Sequence, residues 1–208
     1  SHIGWTNDDW SKVVWSDESS FEIGRLSKQA TVWRQEDEKY ELDCLQPTFK
    51  SGRTSLMVWG AFFGTVKAPL IFLPPKQRKA TDFIENVYKV GLVPFLSKQD
   101  PNLELTLMED NAPVHTAIIS RNFRNENGIK KIEPWPAQSP DLNPIENVWK
   151  VLKTEVQELY HPKNLEEMQH CLKLVWDDFS DQILRNIIES MPSRMKAVIE
   201  SNGGPTRW

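Results

Sequence analysis

Three carboxylates stand in local contexts that suit metal-assisted chemistry on phosphate esters. Asp17 ends the apolar run Val13-Val14-Trp15-Ser16. Asp110 ends the run Leu103-Glu104-Leu105-Thr106-Leu107-Met108-Glu109. Glu146 opens an amphipathic segment just after a proline-stiffened loop at 134–144. Acids at two strand ends and on a following helix can gather hard oxygen ligands around divalent cations. Two such cations can clamp both the attacking and the leaving oxygen of a phosphodiester. The chain therefore reads first as a metal-dependent phosphoryl-transfer enzyme.

Each acid also has a purely local explanation. Asp17 is followed by Glu18 and Asp110 is preceded by Glu109. Neighbours in a strand face opposite ways, so only one of each pair can line a given site. Either pair could equally be a polar strand end entering a turn. Glu146 falls third after Asn143, where it could close a capping box, or it could pair with Lys150 one turn on. It also borders the apolar stripe of Ile145 and Trp149, from which a carboxylate can point into a cleft. His115, five residues after Asp110, could orient an acid or a phosphate, or simply cap or pack a helix. Asn111, beside Asp110, is a second accessory candidate. Lys150 and Lys153 share the helix face of Glu146, and with Arg121 and Arg124 they are candidate contacts to DNA phosphates. A solvated charged face is the alternative, as it is for Lys76, Arg78, Lys79, Lys130 and Lys131.

The elements that would position these groups follow from pattern. Strands are expected at 12–17, 20–23, 30–33, 55–63, 70–73, 103–110 and 130–133. Helices are expected from 81, with Thr81 as N-cap and Pro94 as kink or end, and from Pro113 to about 125. A further helix carries the stripe Ile145, Val148, Trp149, Leu152, Val156 and Leu159. Asn164 and Glu167 resemble a capping box for a helix reaching 179, and a last helical region spans 181–201 with a break near Pro192. Strands early, helices late and alternation between them indicate an α/β fold with a mixed sheet.

Composition sets limits. A chain of 208 residues with 39% hydrophobic content, nine Trp and nine Phe can bury a substantial core as one domain. Residues 1–3 read as a scar of tag cleavage and 4–208 as that domain. The net charge of −4 has the wrong sign for a stand-alone DNA-binding module. The two cysteines, Cys44 and Cys171, have no zinc-ligand spacing and suit a reducing compartment. The longest apolar stretch, 56–64, is too short to span a membrane.

Taken together, four segments carry a resemblance. They are Trp15-Ser16-Asp17-Glu18-Ser19-Ser20-Phe21, Met57-Val58-Trp59-Gly60-Ala61-Phe62, Met108-Glu109-Asp110-Asn111-Ala112-Pro113-Val114-His115-Thr116, and the block 135–149 containing Ser139-Pro140-Asp141-Leu142-Asn143-Pro144-Ile145-Glu146. In this order they resemble the catalytic domain of mariner-superfamily transposases, on the Tc-like branch with glutamate as third acid. The tail at 191–204 is similar as well. The resemblance implies a ribonuclease H-like fold, a central mixed β-sheet flanked by helices on both faces. It assigns catalytic and metal-ligand roles to Asp17, Asp110 and Glu146, over Glu18, Glu109 and Asp141. It implies two Mg²⁺ ions, with Mn²⁺ able to substitute, acting on transposon ends and on target DNA at TA. It also implies a homodimer on DNA and action in the nucleus, or at the nucleoid if the host is bacterial. The family's helix-turn-helix region would precede residue 1. A domesticated protein that binds DNA or chromatin without turnover, and a host nuclease on the same fold, are the competing expectations.

Overall fold

A computed structural model describes residues 2, 4–23, 55–76, 79–136, 139–204 and 206. The expected strand at 30–33, Cys44 and Arg78 lie outside these residues. A short helix α1 (Asn7–Ser11) leads into strand β1 (Val13–Glu22). Strands β2 (Ser55–Phe63), β3 (Val66–Lys67) and β4 (Ile71–Leu73) follow, and β5 (Thr106–Met108) comes after the first helical layer. The sheet runs β3-β2-β1-β5, with β4 also paired to β2. β1 is antiparallel to β2 and parallel to β5, so the sheet is mixed.

Strand parity divides the core. Val13, Trp15 and Phe21 of β1, Val58 and Phe62 of β2 and Met108 of β5 join one buried cluster. Val14, Trp59, Ala61, Phe63 and Leu107 join the other. Successive side chains of a strand point to opposite faces, which produces this sorting. The first face is covered by helix α6 (Ile145–Glu155), helix α7 (Leu165–Asp177) and helix α8 (Asp181–Glu189). The second is covered by helical residues from Ala80 to Ser97 and by α5 (Ile118–Glu126). Helices thus flank both faces, and no described helix is long and apolar enough to cross a membrane.

Several elements differ from pattern. Residues 12–17 and 20–23 form one strand, because Asp17 and Glu18 continue the ladder opposite Gly60 and Trp59. The strand expected at 103–110 is ordered as a ladder only over Thr106–Met108, and that at 130–133 reduces to one bridge between Lys131 and Leu107. Thr81 lies inside helix α2 (Ala80–Phe83), whose start is held by Asp82 accepting from the Lys79 N–H. A π-helical segment, Ile84–Leu92, then joins α3 (Val93–Ser97), and Pro94 sits in the first turn of α3 without ending the helical run. The widened turn has Val93 N–H bonding back to Tyr88, a register in which a proline's missing donor does little harm. The helix from Pro113 breaks at Ala117 into α4 (Pro113–Thr116) and α5. A second π turn, Val156–Tyr160, shifts phase after α6 and turns Leu159 outward, 68% exposed. Asn164 caps α7 as its spacing with Glu167 requires, its Oδ1 accepting from Glu167 N–H at 2.9 Å. The last region is α8 and α9 (Met191–Glu200), with Pro192 in the first turn of α9.

One contact fixes α6 against the sheet. A Cβ on Gly60 would lie 2.6 Å from Trp149 Cη2 and 3.1 Å from Leu70 Cδ2, so only glycine admits the indole here. Gly60→Ala is expected to cost about 1–3 kcal/mol by overpacking. Thermal denaturation should show it as a drop of roughly 2–4 °C per kcal/mol for a chain of this size.

Candidate active site

Asp17 and Asp110 are brought together by the parallel pairing of β1 and β5. Trp15 is the register partner of Met108, and each acid lies two residues beyond that pair, Asp17 within β1 and Asp110 just past the end of β5. By parity both face the side covered by α6, while Glu18 and Glu109 face the other side. Glu146, in the first turn of α6, completes the set. All three acids line one cavity of about 300 Å³, along with Asn111, Trp135 and Asn143. Among the described residues no three His, Cys, Asp or Glu side chains converge at metal-ligand spacing. The acids stand around the cavity rather than closing on one point.

Glu146 is free for this role because the capping box does not form. The N-cap of α6 is Pro144, without a side-chain cap, and Asn143 offers only its backbone carbonyl to Glu146 N–H at 3.1 Å. The Asn143 side-chain oxygen is buried at the cavity wall with no hydrogen-bond partner among the described residues. Asp141 is spent elsewhere. Its carboxylate accepts from Thr206 N–H at 3.0 Å and Thr206 Oγ1 at 2.6 Å, which holds its pKa below the usual carboxylate range. Buried Arg194 on α9 donates to the Asp141 carbonyl at 3.0 Å, so the C-terminal helix braces the loop ahead of Glu146.

The electrostatics centre on Asp17. Burial is the largest influence on it, followed by the charges of Glu18 and Glu146 and, less strongly, Asp110. Together they push its carboxyl up to about 8. Trp149 Nε1 donates to Asp17 Oδ2 at 3.2 Å. Three carboxylates around one cavity, all with oxygen donors, form a donor set suited to hard divalent cations.

The accessory candidates fall into separate places. Asn111 Nδ2 donates to the Trp135 carbonyl at 2.9 Å and ties the Asp110 turn to the proline loop. Asp110 Oδ1 accepts from Ala112 N–H at 2.8 Å, and Lys131 Nζ donates to the Asp110 carbonyl at 3.1 Å. His115 is buried, its Nε2 3.5 Å from Asp110 Oδ1 and 3.6 Å from Glu18 Oε2. Burial would lower its pKa, but the bond to Glu18 and the charges of Glu109, Glu18 and Asp110 outweigh it and raise it. Arg124 is a correction. It is 3% exposed and donates to Glu109 Oε2 at 3.2 Å, so it cannot reach a DNA phosphate. Arg121, Lys150 and Lys153 are exposed, with Lys153 Nζ 5.4 Å from the Phe21 ring centre. Pattern reading placed Trp149 in the core and missed its bond to Asp17. The available signal was that a buried indole N–H needs an acceptor.

A family model described as DDE superfamily endonuclease matches residues 12–169. The chain belongs to this endonuclease family. It is 30% identical over 208 residues to the Tc1 transposase of Caenorhabditis elegans, covering all of this chain and 74% of that protein. It is 32% identical over 202 residues to the Tc3 transposase of the same organism, covering 96% of this chain and 59% of that one. The Mos1 transposase catalytic domain solved with raltegravir and Mn superposes with a TM-score of 0.72 at 16% identity, over 95% of this chain and 86% of that one. The fold is therefore ribonuclease H-like, and this family member is a metal-dependent DNA transposase catalytic domain of the Tc1/mariner kind.

The raised Asp17 carboxyl has a consequence for stability without metal. A carboxyl whose pKa is higher folded than unfolded stabilises the fold in acid, and that stability fades as pH rises through the folded value. Between about pH 4 and 8 the metal-free protein should thus lose stability as pH rises. Asp17→Asn in EDTA is expected to melt roughly 5 °C higher than the parent at pH 8.5, a gap that closes near pH 4. Melting curves across that range check it.

Proposed function

We propose that the domain cuts transposon ends and joins the freed 3′-OH to target DNA at TA, using Asp17, Asp110 and Glu146 as carboxylate ligands for two divalent cations. Mg²⁺ is the proposed ion, with Mn²⁺ able to substitute. Bound cations would supply Lewis-acid activation and charge neutralisation at the phosphodiester. The observation that carries this reading is the placement of the three acids, from three elements, around one cavity. Their strand neighbours Glu18 and Glu109 are turned to the opposite face of the sheet.

The chain's own residues would position and hold. Trp149 holds Asp17 from the α6 side, and Asn111 and Lys131 hold the Asp110 turn from the loop side. The Asp110 side chain, 57% exposed, is accessible from solvent to an entering cation. In the cutting step a water oxygen bonds to phosphorus as the bond to the 3′ oxygen breaks, leaving the transposon 3′-OH. In the joining step that hydroxyl attacks a target phosphodiester in line and releases the target's own 3′-OH. Positioning and charge neutralisation account for most of the rate in such transfers. Lys150, Lys153 and Arg121 are the proposed phosphate contacts. Mos1 has been solved as a paired-end complex with the left transposon end. Transposon-end DNA, a homodimer on that DNA and action in the nucleus are proposed here by relation to such proteins.

Asp17→Asn, Asp110→Asn and Glu146→Gln should each reduce Mn²⁺-dependent nicking of end DNA by at least about 10³-fold. Unchanged nicking in any of the three would remove that acid from the assignment. Lys150→Ala should weaken DNA binding alike on all sequences and reduce the slope of log K against log salt by about 1. Fluorescence anisotropy over a salt series measures it.

A further inference from the structure

Glu109, turned away from the cavity, is built into a buried polar network. It is 2% exposed and accepts from Tyr88 Oη at 2.7 Å and Arg124 Nη1 at 3.2 Å. Arg124 Nη1 also donates to Tyr88 Oη at 2.8 Å, and Nη2 donates to the His115 backbone carbonyl at 3.0 Å. The His115 ring stands with Nδ1 3.6 Å from Glu109 Oε1, a charge contact without a hydrogen bond among the described residues, and with Nε2 3.5 Å from Asp110 Oδ1 and 3.6 Å from Glu18 Oε2. Phe83 meets its face edge-on at 4.8 Å, and Tyr88 stacks on Phe123 at 5.6 Å. The network thus begins on α5, passes beneath the end of β5 and finishes against the Asp110 carboxylate.

A buried ion pair is a weak source of stability, since apolar residues of similar volume often serve as well. Here it meets a specific need. Asp110 is half-exposed, and its carboxylate has one backbone donor, Ala112 N–H. We propose that Tyr88, Glu109, Arg124 and His115 are positioning residues for Asp110. Arg124 fixes the α4 backbone through the His115 carbonyl and fixes Glu109 through its carboxylate. Glu109 in turn sets the ring of His115, and the ring sets the orientation of the Asp110 carboxylate toward the cavity. Partners behind a metal ligand act in this way on affinity without touching the ion. The inference rests on reading Asp110 as a ligand.

The test is Mn²⁺ calorimetry on this chain and on Asp110→Asn, Tyr88→Phe, His115→Ala and His115→Gln, each checked for folding by circular dichroism at the same temperature. Tyr88→Phe removes one hydroxyl and keeps the ring packing, so it decides the matter if His115→Ala does not fold. Expected are a loss of binding in Asp110→Asn and weakening of about 10-fold or more in Tyr88→Phe and His115→Ala. His115→Gln, which restores a nitrogen donor toward Asp110, should recover part of that loss. Folded Tyr88→Phe and His115→Ala that bind Mn²⁺ like the parent, while Asp110→Asn does not, would overturn the proposal. Binding unchanged in Asp110→Asn would overturn the ligand reading itself, and the proposal with it.

Discussion

The seat of Trp149 on Gly60 is the contact on which the site depends. Gly60 is the register partner of Asp17 across β1 and β2, so the indole that fills the space above Gly60 also reaches the Asp17 carboxylate. The same ring stacks on Trp176 of α7 at 5.9 Å and meets Phe21 edge-on at 6.1 Å. A single side chain therefore sets the depth of α6 over the sheet, links it to the next helix and places a donor on a site acid. Glu146 lies one turn before Trp149 on that helix. Its position relative to Asp17 follows from how closely the helix can approach, and the missing Cβ of Gly60 sets that approach.

Parity of the strands supplies the second constraint. Asp17 and Glu18 are adjacent within β1, Glu109 and Asp110 directly follow β5, and the alternation of the extended chain sends one acid of each pair to each face. On the α6 face, acids line a cavity, and burial with the neighbouring carboxylates raises the pKa of Asp17. On the other face, Glu109 pairs with Arg124 and accepts a hydrogen bond from Tyr88. The chain thus holds two acidic settings a sheet's thickness apart. One is a cavity lined by acids, and the other contains its own cation, Arg124.

This division also accounts for a net charge of −4 in a protein that works on DNA. Arg124 balances an internal acid, and Lys67 is turned onto the carbonyls of Trp176, Asp177 and Phe179 at the end of α7. Lys131 is partly buried against the Asp110 turn. These cations serve the fold, whereas Arg121, Lys150 and Lys153 are exposed.

Much of the fold was legible in the chain because it depends on local periodicity. The apolar run of β2, the α6 stripe as far as Val156 and the Asn164–Glu167 cap all form where pattern places them. The family was legible too, from the block at 139–146. Other features were not, because they rest on contacts distant in sequence. Asn143 and Glu146 carry the letters of a capping box, yet the box is absent. Arg124 carries the letters of a surface cation, yet it is buried by Glu109 and Tyr88, 15 and 36 residues away. The sequence by itself determined which residue types lie at which strand ends, and so which acids could be partners. Only the tertiary structure decided which face each acid took and which cations remained free. Those outcomes depend on strand register and helix seating, and no local window of residues contains either.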